Sequence, residues 1–304
     1  MKHILTEWRK FLNERVKPSE FYPSEFNKFL ELIREHEKHL WVFFDTETTG
    51  LMYKDKEVQV TQIACVVYNV EGITEGQKPR KVNEFDVKLE LEKDVLDAIS
   101  AQDKEVEAGT FTGYKPIRDL LKMNQYEQGE RPIPMLAGVR KFDSFLKQVR
   151  EKSPSGEIVI IAQNSPFDVG VINTAYERLG LEVPDDELWD TKGPLELYLI
   201  PIVKIIKDDP QALEQDKKLV KNLTKVSSRS GEYISTSLGV VTAAFNLEDK
   251  GWHNALADVQ MTMDLLTTII DYVKEKQDTY KVDTSKVKPF DPTAGDPYSP
   301  KRSS

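Results

Sequence analysis

An apolar pentapeptide, Leu40-Trp-Val-Phe-Phe44, runs directly into two carboxylates, Asp45 and Glu47. An unbroken apolar run of this length suits a strand buried on both faces better than a half-exposed one. Residues two apart on a strand point to the same side, so Asp45 and Glu47 stand together, roughly 6–7 Å apart by strand rise. Like charges at the end of a buried strand repel each other and lose hydration. Either a solvated loop takes them over or a positive charge offsets them, and a divalent cation does so directly.

The runs that follow extend this strand into a sheet. Val58 to Val70 is rich in β-branched residues. From Phe85 to Leu91 apolar and charged residues alternate, with Phe85, Val87, Leu89 and Leu91 on one face. Short links between these three runs favour an antiparallel meander. A helix from about Leu136 to Arg150 precedes the apolar run Ile158 to Ala162. Then come a helix from Pro166 to about Gly180, a short run near Leu188 to Thr191, and a helix from about Ala255 to Lys274. Three antiparallel strands followed by alternating helices and parallel strands make an α/β domain with a mixed sheet flanked by helices.

That domain is expected over residues 39–277. Residues 1–38 read as a helical extension of two short amphipathic helices separated at Pro18 to Pro23. Ile4, Leu5, Trp8, Phe11 and Leu12 form one stripe; Phe26, Phe29, Leu30 and Ile33 form the other. Residues 97–134 are polar with scattered Gly and Pro, as in an insertion or long crossover. Residues 278–304 are rich in Pro, Ser, Lys and Asp, a composition that cannot build a packed core, and are expected to be disordered.

Charge narrows the function classes. The 304 residues carry 51 acidic and 42 basic side chains, for a net charge of −9. Proteins that coat duplexes usually show the opposite sign, because phosphate neutralisation supplies much of their affinity. Metal ions can reverse the field locally, so an enzyme gripping one strand end is still compatible. The single cysteine, Cys65, excludes an internal disulfide and a multi-cysteine zinc site. No apolar run approaches the roughly 20 residues needed to span a bilayer, and Met1 to Glu14 has no secretory layout. A cytoplasmic location and no membrane partner are the expectation.

Two further acids stand out. Ser165 is a good N-cap with Pro166 at the first helical position, which makes Asp168 the third residue of its helix. The helix dipole alone could explain an acid there. Yet Asp168 shares its face with Ile172, Ala175 and Leu179, which directs it inward, where an unpaired carboxylate is costly. Asp258 borders the stripe of Leu256, Val259, Met263, Leu266 and Ile270, and His253 sits in the loop just before that helix. The remaining histidines lie near the N-terminus. His36-Glu-Lys-His39 is one residue short of the zinc-protease spacing and reads as a solvated helix end.

Taken in order, Asp45-Thr-Glu-Thr-Thr-Gly-Leu51, Asn164-Ser-Pro-Phe-Asp168 and His253-Asn-Ala-Leu-Ala-Asp258 resemble the motifs of the DEDDh 3′→5′ exonucleases. That family includes the proofreading subunit of bacterial replicative DNA polymerase, ribonuclease T and oligoribonuclease. The likeness runs from about Trp41 to Val273. It departs at Gln163, where family members often have His. Asp190-Thr191 is similar to the pair that often follows the middle motif.

The resemblance implies a ribonuclease H-like sheet and two Mg²⁺ or Mn²⁺ ions held by Asp45, Glu47, Asp168 and Asp258. Asp45 would bridge the ions, Glu47 and Asp258 would serve the first, and Asp168 the second. His253 would be the general base, with Asp45, Glu47, Asp168 and Asp258 completing the catalytic set. Thr46 and Thr48 would face the terminal nucleotide, Leu51 would wedge against its base, and Asn164 and Phe167 would line the pocket. For Leu51 and Phe167 plain core packing is an equal reading. The partner implied is a single-stranded 3′ end, DNA favoured over RNA, with a polymerase or replication protein as a candidate associate. Residues 97–134 and 201–235 exceed what the compact family pattern requires. Lysines in the second segment are interleaved with acids and read as a solvated face.

Alternatives stay open at this point. An exoribonuclease of the same family and a non-catalytic nucleic-acid-binding module on the same fold are both compatible. Asp45-Thr-Glu47-Thr48 also has some likeness to the Asp-x-Asp-x-Thr phosphatase loop, though its second acid is Glu and the spacing of His253 and Asp258 is then unexplained.

Overall fold

The computed structural model describes residues 23–50, 58–112, 115–183, 187–227, 231–247 and 254–280. The apolar pentapeptide opens β1 (Leu40–Thr48), the central strand of a five-stranded sheet. On one side it pairs antiparallel with β2 (Val60–Asn69), which pairs antiparallel with the edge strand β3 (Arg80–Lys88). On the other side it pairs parallel with β4 (Ile158–Ala162), followed in parallel by β5 (Glu187–Asp190). The order β3-β2-β1-β4-β5 is the ribonuclease H-like mixed sheet expected. No helix among the described residues is long and apolar enough to cross a membrane.

Strand alternation divides the core in two. Trp41 and Phe43 face α1 (Pro23–His36) and the long α9 (Ala255–Thr279), whose Val259, Met263, Leu266 and Ile270 are all buried. Leu40, Val42 and Phe44 face α4 (Met135–Lys152) and α5 (Ser165–Arg178). Each β1 side chain from Leu40 to Phe44 is at most 5% exposed, which is why the run shows no polar alternation. Phe26 and Phe29 of α1 both meet Tyr198, with ring centroids 5.2 Å apart in each case.

Several elements differ from the expectation. β3 begins five residues before Phe85 and ends before Leu89. As an edge strand it tolerates the polar stretch Arg80–Glu84, which hides it from a search for alternation. The polar segment 97–134 is not structureless. α2 (Lys93–Glu107) and α3 (Ile117–Met123) pack Val95 and Ile99 against Ile117 and Leu121 as a small separate cluster.

Ahead of the segment 201–235, a helical run of Lys192–Pro194 and a π-helical turn Leu195–Leu199 lead into α6 (Ile200–Asp208). α7 (Glu214–Leu223), the hairpin β6 (Thr224–Ser227) and β7 (Gly231–Ile234), and α8 (Leu238–Ala244) follow. Lys204, Lys207, Lys217, Lys218, Lys221 and Lys225 are indeed solvated. The opposite faces, however, carry Ile202, Val203, Ile206, Leu219 and Leu223 into the main core, so this segment is part of the domain's packing. His39 corrects another expectation: it is 5% exposed, and its Nδ1 lies 2.6 Å from Ser155 Oγ rather than in solvent. The stripe Ile4 to Leu12, Arg229 and the tail beyond residue 280 lie outside the described residues.

Candidate metal centre

Asp45 and Glu47 share the strand parity of Trp41 and Phe43, so both project toward the α9 side at the C-terminal end of β1. Across the β1–β2 ladder Asp45 stands opposite Ala64 and Glu47 opposite Gln62. The register then slips, with Thr48 opposite Val60, leaving Thr61 as an extra residue. Such a bulge turns a strand end and re-aims its side chains.

α9 delivers the third acid. Its N-cap Asn254 accepts the Ala257 N–H at 3.4 Å, and the Ala255 N–H donates to Gln62 Oε1 at 3.4 Å. Asp258 follows as the fourth residue of the helix, where the positive end of the helix dipole favours a carboxylate. Asp45, Glu47 and Asp258 each offer an oxygen, and these oxygens lie within 4.8 Å of one another.

Asp168 approaches from the opposite layer. It is also the fourth residue of its helix, and not the third as read from sequence, because the N-cap is Asn164 and not Ser165. Asn164 takes a left-handed backbone, φ 60° and ψ 45°, which asparagine tolerates better than most residues. Its N–H donates to Asp190 Oδ1 at 2.9 Å, and the Lys192 N–H donates to the same oxygen at 3.0 Å. Asp190 therefore ties the turn before α5 to the end of β5. Asp168 is 3% exposed, and its Oδ1 accepts both the N–H and the hydroxyl of Thr46.

The electrostatics follow from this crowding. Burial raises the Asp45 carboxyl well above the usual range, and the neighbouring charges of Asp168, Glu47 and Asp258 raise it further. Glu47 is pushed up to about 8 by burial and then by Asp258 and Asp168. Asp168 is pushed up to about 7 by burial, against the lowering effect of its Thr46 hydrogen bonds. The donors are all carboxylate oxygens, and the neighbouring charges that raise Asp45, those of Asp168, Glu47 and Asp258, are acidic. A hard divalent cation fits such a set by chemistry and by charge.

The other residues picked out in the sequence fall as follows. Thr46 and Thr48 are buried; the Thr48 hydroxyl donates to the Gly50 carbonyl at 2.6 Å. Asn164 is exposed at the turn, and Phe167 is partly buried against the α4–α5 side of the core. Leu51 and His253 lie outside the described residues. Gln163, the departure from the family motif, is held by the Thr191 hydroxyl and donates to the Thr236 carbonyl at 3.1 Å. Gln62 went unnoticed in the sequence because a glutamine inside a strand has no local signal of its own; Asn254, directly before the helix expected from about Ala255, carried an N-cap signal that was passed over.

No protein-family model matches the chain. A stretch of 146 residues, 47% of the chain, is 30% identical to DNA polymerase III PolC-type of Listeria welshimeri. The counterpart in Listeria innocua is 31% identical over 146 residues, and that of Listeria monocytogenes 42% over 72 residues. The resemblance to the DEDDh exonucleases is borne out. The chain spans only 8% of the length of the first two of these polymerases. Among solved structures, Escherichia coli exonuclease I in complex with a dT13 oligonucleotide is similar, with a TM-score of 0.47 and 16% identity. The similarity covers 79% of this chain and 42% of that one. The zinc-bound exonuclease I–ssDNA complex gives 0.46 and 15%. At these values the likeness assigns no residue a role. Of the four carboxylates that the sequence motifs single out, Asp45, Glu47 and Asp258 are gathered at one point, and Asp168 reaches it through Thr46.

Proposed function

We propose that the chain is a 3′→5′ exonuclease that releases 5′-mononucleotides from single-stranded DNA ends. The observation that carries this reading is the gathering of Asp45, Glu47 and Asp258 from two elements far apart in sequence, with oxygens within 4.8 Å. Asp45 and Glu47, desolvated and repelled by each other and by Asp258, cost stability unless the site has a use for them. The likeness to DNA polymerase III PolC-type supports DNA as the substrate. Residues 39–277 form the exonuclease domain in this reading.

Asp45, Glu47, Asp168 and Asp258 would hold two Mg²⁺ or Mn²⁺ ions, which when bound offset the charge on the scissile phosphate and on the attacking and leaving oxygens. The protein's own contribution is placement. β1 is buried on both faces and holds Asp45 and Glu47 rigidly, while Thr46 pins Asp168 and the capped start of α9 sets Asp258. His253 would take the proton from the attacking water as its oxygen bonds to phosphorus. The bond from phosphorus to the 3′ oxygen of the preceding nucleotide breaks, and that oxygen gains a proton as the new 3′-hydroxyl. Removal of His253 is expected to cost roughly 10²–10⁴ in rate.

The test incubates 5′-labelled single-stranded DNA and RNA with Mg²⁺ and the protein, wild type against Asp45→Ala. A ladder shortening from the 3′ end on DNA, absent with the variant, is the expected result. Faster shortening of RNA would make the chain an exoribonuclease. Binding without shortening of either strand would leave only a binding module.

A further inference from the structure

Gln62, the third residue of β2, is 2% exposed, and both ends of its amide are engaged. Its Nε2 donates to Asp86 Oδ1 on β3 at 2.7 Å, and its Oε1 accepts the N–H of Ala255, the first residue of α9, at 3.4 Å. The first N–H groups of a helix have no partner within it, so a buried side chain that accepts one fixes where the helix begins. Directly across the ladder from Gln62 stands Glu47. One side chain thus lies opposite one acid of the cluster and holds the helix start that carries another, Asp258. Asn254 caps the orphan N–H of Ala257 with its own side chain, but it belongs to the same segment and cannot tether that segment to the sheet. Gln62 thus makes a side-chain hydrogen bond from the sheet to the first turn of α9.

We infer that Gln62 is a positioning residue for the metal centre, with Asp86 as its anchor. It sets the separation of Asp258 from Asp45 and Glu47, and thereby the affinity of the cluster for a divalent cation. This rests on the exonuclease reading only in so far as the cluster binds metal. Partners that hold metal ligands in place typically change metal affinity by 10–100-fold when removed. Asp86 acts at one remove, so its loss has a smaller effect in the same direction.

The experiment titrates the full chain with Mn²⁺, following the free ion by electron paramagnetic resonance, in parallel with exonuclease kinetics. Gln62→Met keeps the side-chain volume and removes both hydrogen bonds. It is expected to weaken Mn²⁺ binding by about 10-fold per folded molecule and to lower kcat more than it raises KM. Asp86→Ala is exposed enough to fold in any case and should weaken binding by about threefold. Glu84→Gln removes a charge from the same strand without touching this contact and should leave the affinity as in the wild type. Unchanged Mn²⁺ affinity in both Gln62→Met and Asp86→Ala overturns the inference, whatever their melting temperatures. A loss equal to that in Glu84→Gln does so too, since bulk charge then explains it. Should the wild type bind Mn²⁺ with this dependence yet degrade no strand, the exonuclease reading fails while the role of Gln62 stands.

Discussion

Thr46 gives both of its donors to one atom: its N–H lies 3.0 Å and its hydroxyl 2.7 Å from Oδ1 of Asp168. Asp168 is thereby joined to the strand residue that lies between Asp45 and Glu47. The sequence separation is 122 residues, yet the acid is held to the cluster through a single backbone position.

Replacing Thr46 by Val removes the hydroxyl and leaves the N–H in place. Thr46→Val is expected to lower kcat roughly 10-fold, as loss of a ligand's supporting hydrogen bond does, while Thr46→Ser stays near the wild type. Single-turnover cleavage of a labelled DNA strand measures both. Equal losses in the two variants would show that packing, and not the hydrogen bond, is what Thr46 supplies.

Metal-free protein should lose stability as pH rises. Burial and like charges place the folded-state values of Glu47 near 8 and Asp168 near 7, above the ordinary 4.5 and 3.8, and raise Asp45 as well. Over the window between the ordinary and the folded values, the folded form keeps protons that the unfolded chain has released. Stability therefore falls with rising pH through that window, the Glu47 part of the fall running up to about 8. Melting curves in a chelator should show this slope, and saturating Mn²⁺ should raise the midpoint most at the alkaline end. Asp45→Asn should flatten the slope and raise the chelated protein's Tm by a few degrees, from about 1–3 kcal/mol of relieved repulsion. A melting temperature in chelator that climbs from pH 5 to 8 would contradict the site's electrostatics.

Far from the site, Lys276 and Asp216 form an ion pair at 3.0 Å with both side chains almost fully buried. Tyr280 and Tyr272 donate their hydroxyls to the same carboxylate at 2.8 and 3.2 Å. Lys276→Met leaves the buried acid without its counter-charge and should cost about 3–5 kcal/mol in urea unfolding. The double change Lys276→Met with Asp216→Leu should recover most of that loss, because apolar replacement of a whole buried pair is close to neutral. No recovery would place the cost in packing instead.

Gly138 of α4 lies against Leu89, the residue just beyond β3. A methyl group added there would come within 2.1 Å of Leu89 Cδ2. Leu89 is fully buried, and its backbone is held at both ends, by the Thr61 carbonyl at 2.9 Å and the Tyr126 hydroxyl at 2.8 Å. Gly138→Ala should therefore destabilise by about 1–3 kcal/mol, despite alanine's better helix propensity. Chemical denaturation checks the sign, and a more stable variant would mean that Leu89 has room to turn away.

Periodicity made much of the fold legible in advance. The unbroken run of β1, the apolar run of β4 and the stripe of α9 each show a residue's burial through its neighbours a fixed step away. The three motifs likewise named Asp45, Glu47, Asp168 and Asp258 as a set. What they could not supply was any residue whose partner lies on another element. β3 was misplaced because an edge strand needs no apolar alternation along its outer part. α2 and α3 were missed because a few apolar contacts suffice for a small satellite cluster.

The sequence by itself determined which strand is buried on both faces and which acids sit at its end and at two helix starts, since these depend only on local pattern and spacing. Tertiary structure alone decided that the acids meet. It also decided that Asp168 is held through Thr46, and that Gln62 ties the start of α9 to the sheet. The physical reason is that desolvation and charge–charge repulsion act through space over a few ångströms. The residues responsible stand 122 and 193 positions apart along the chain.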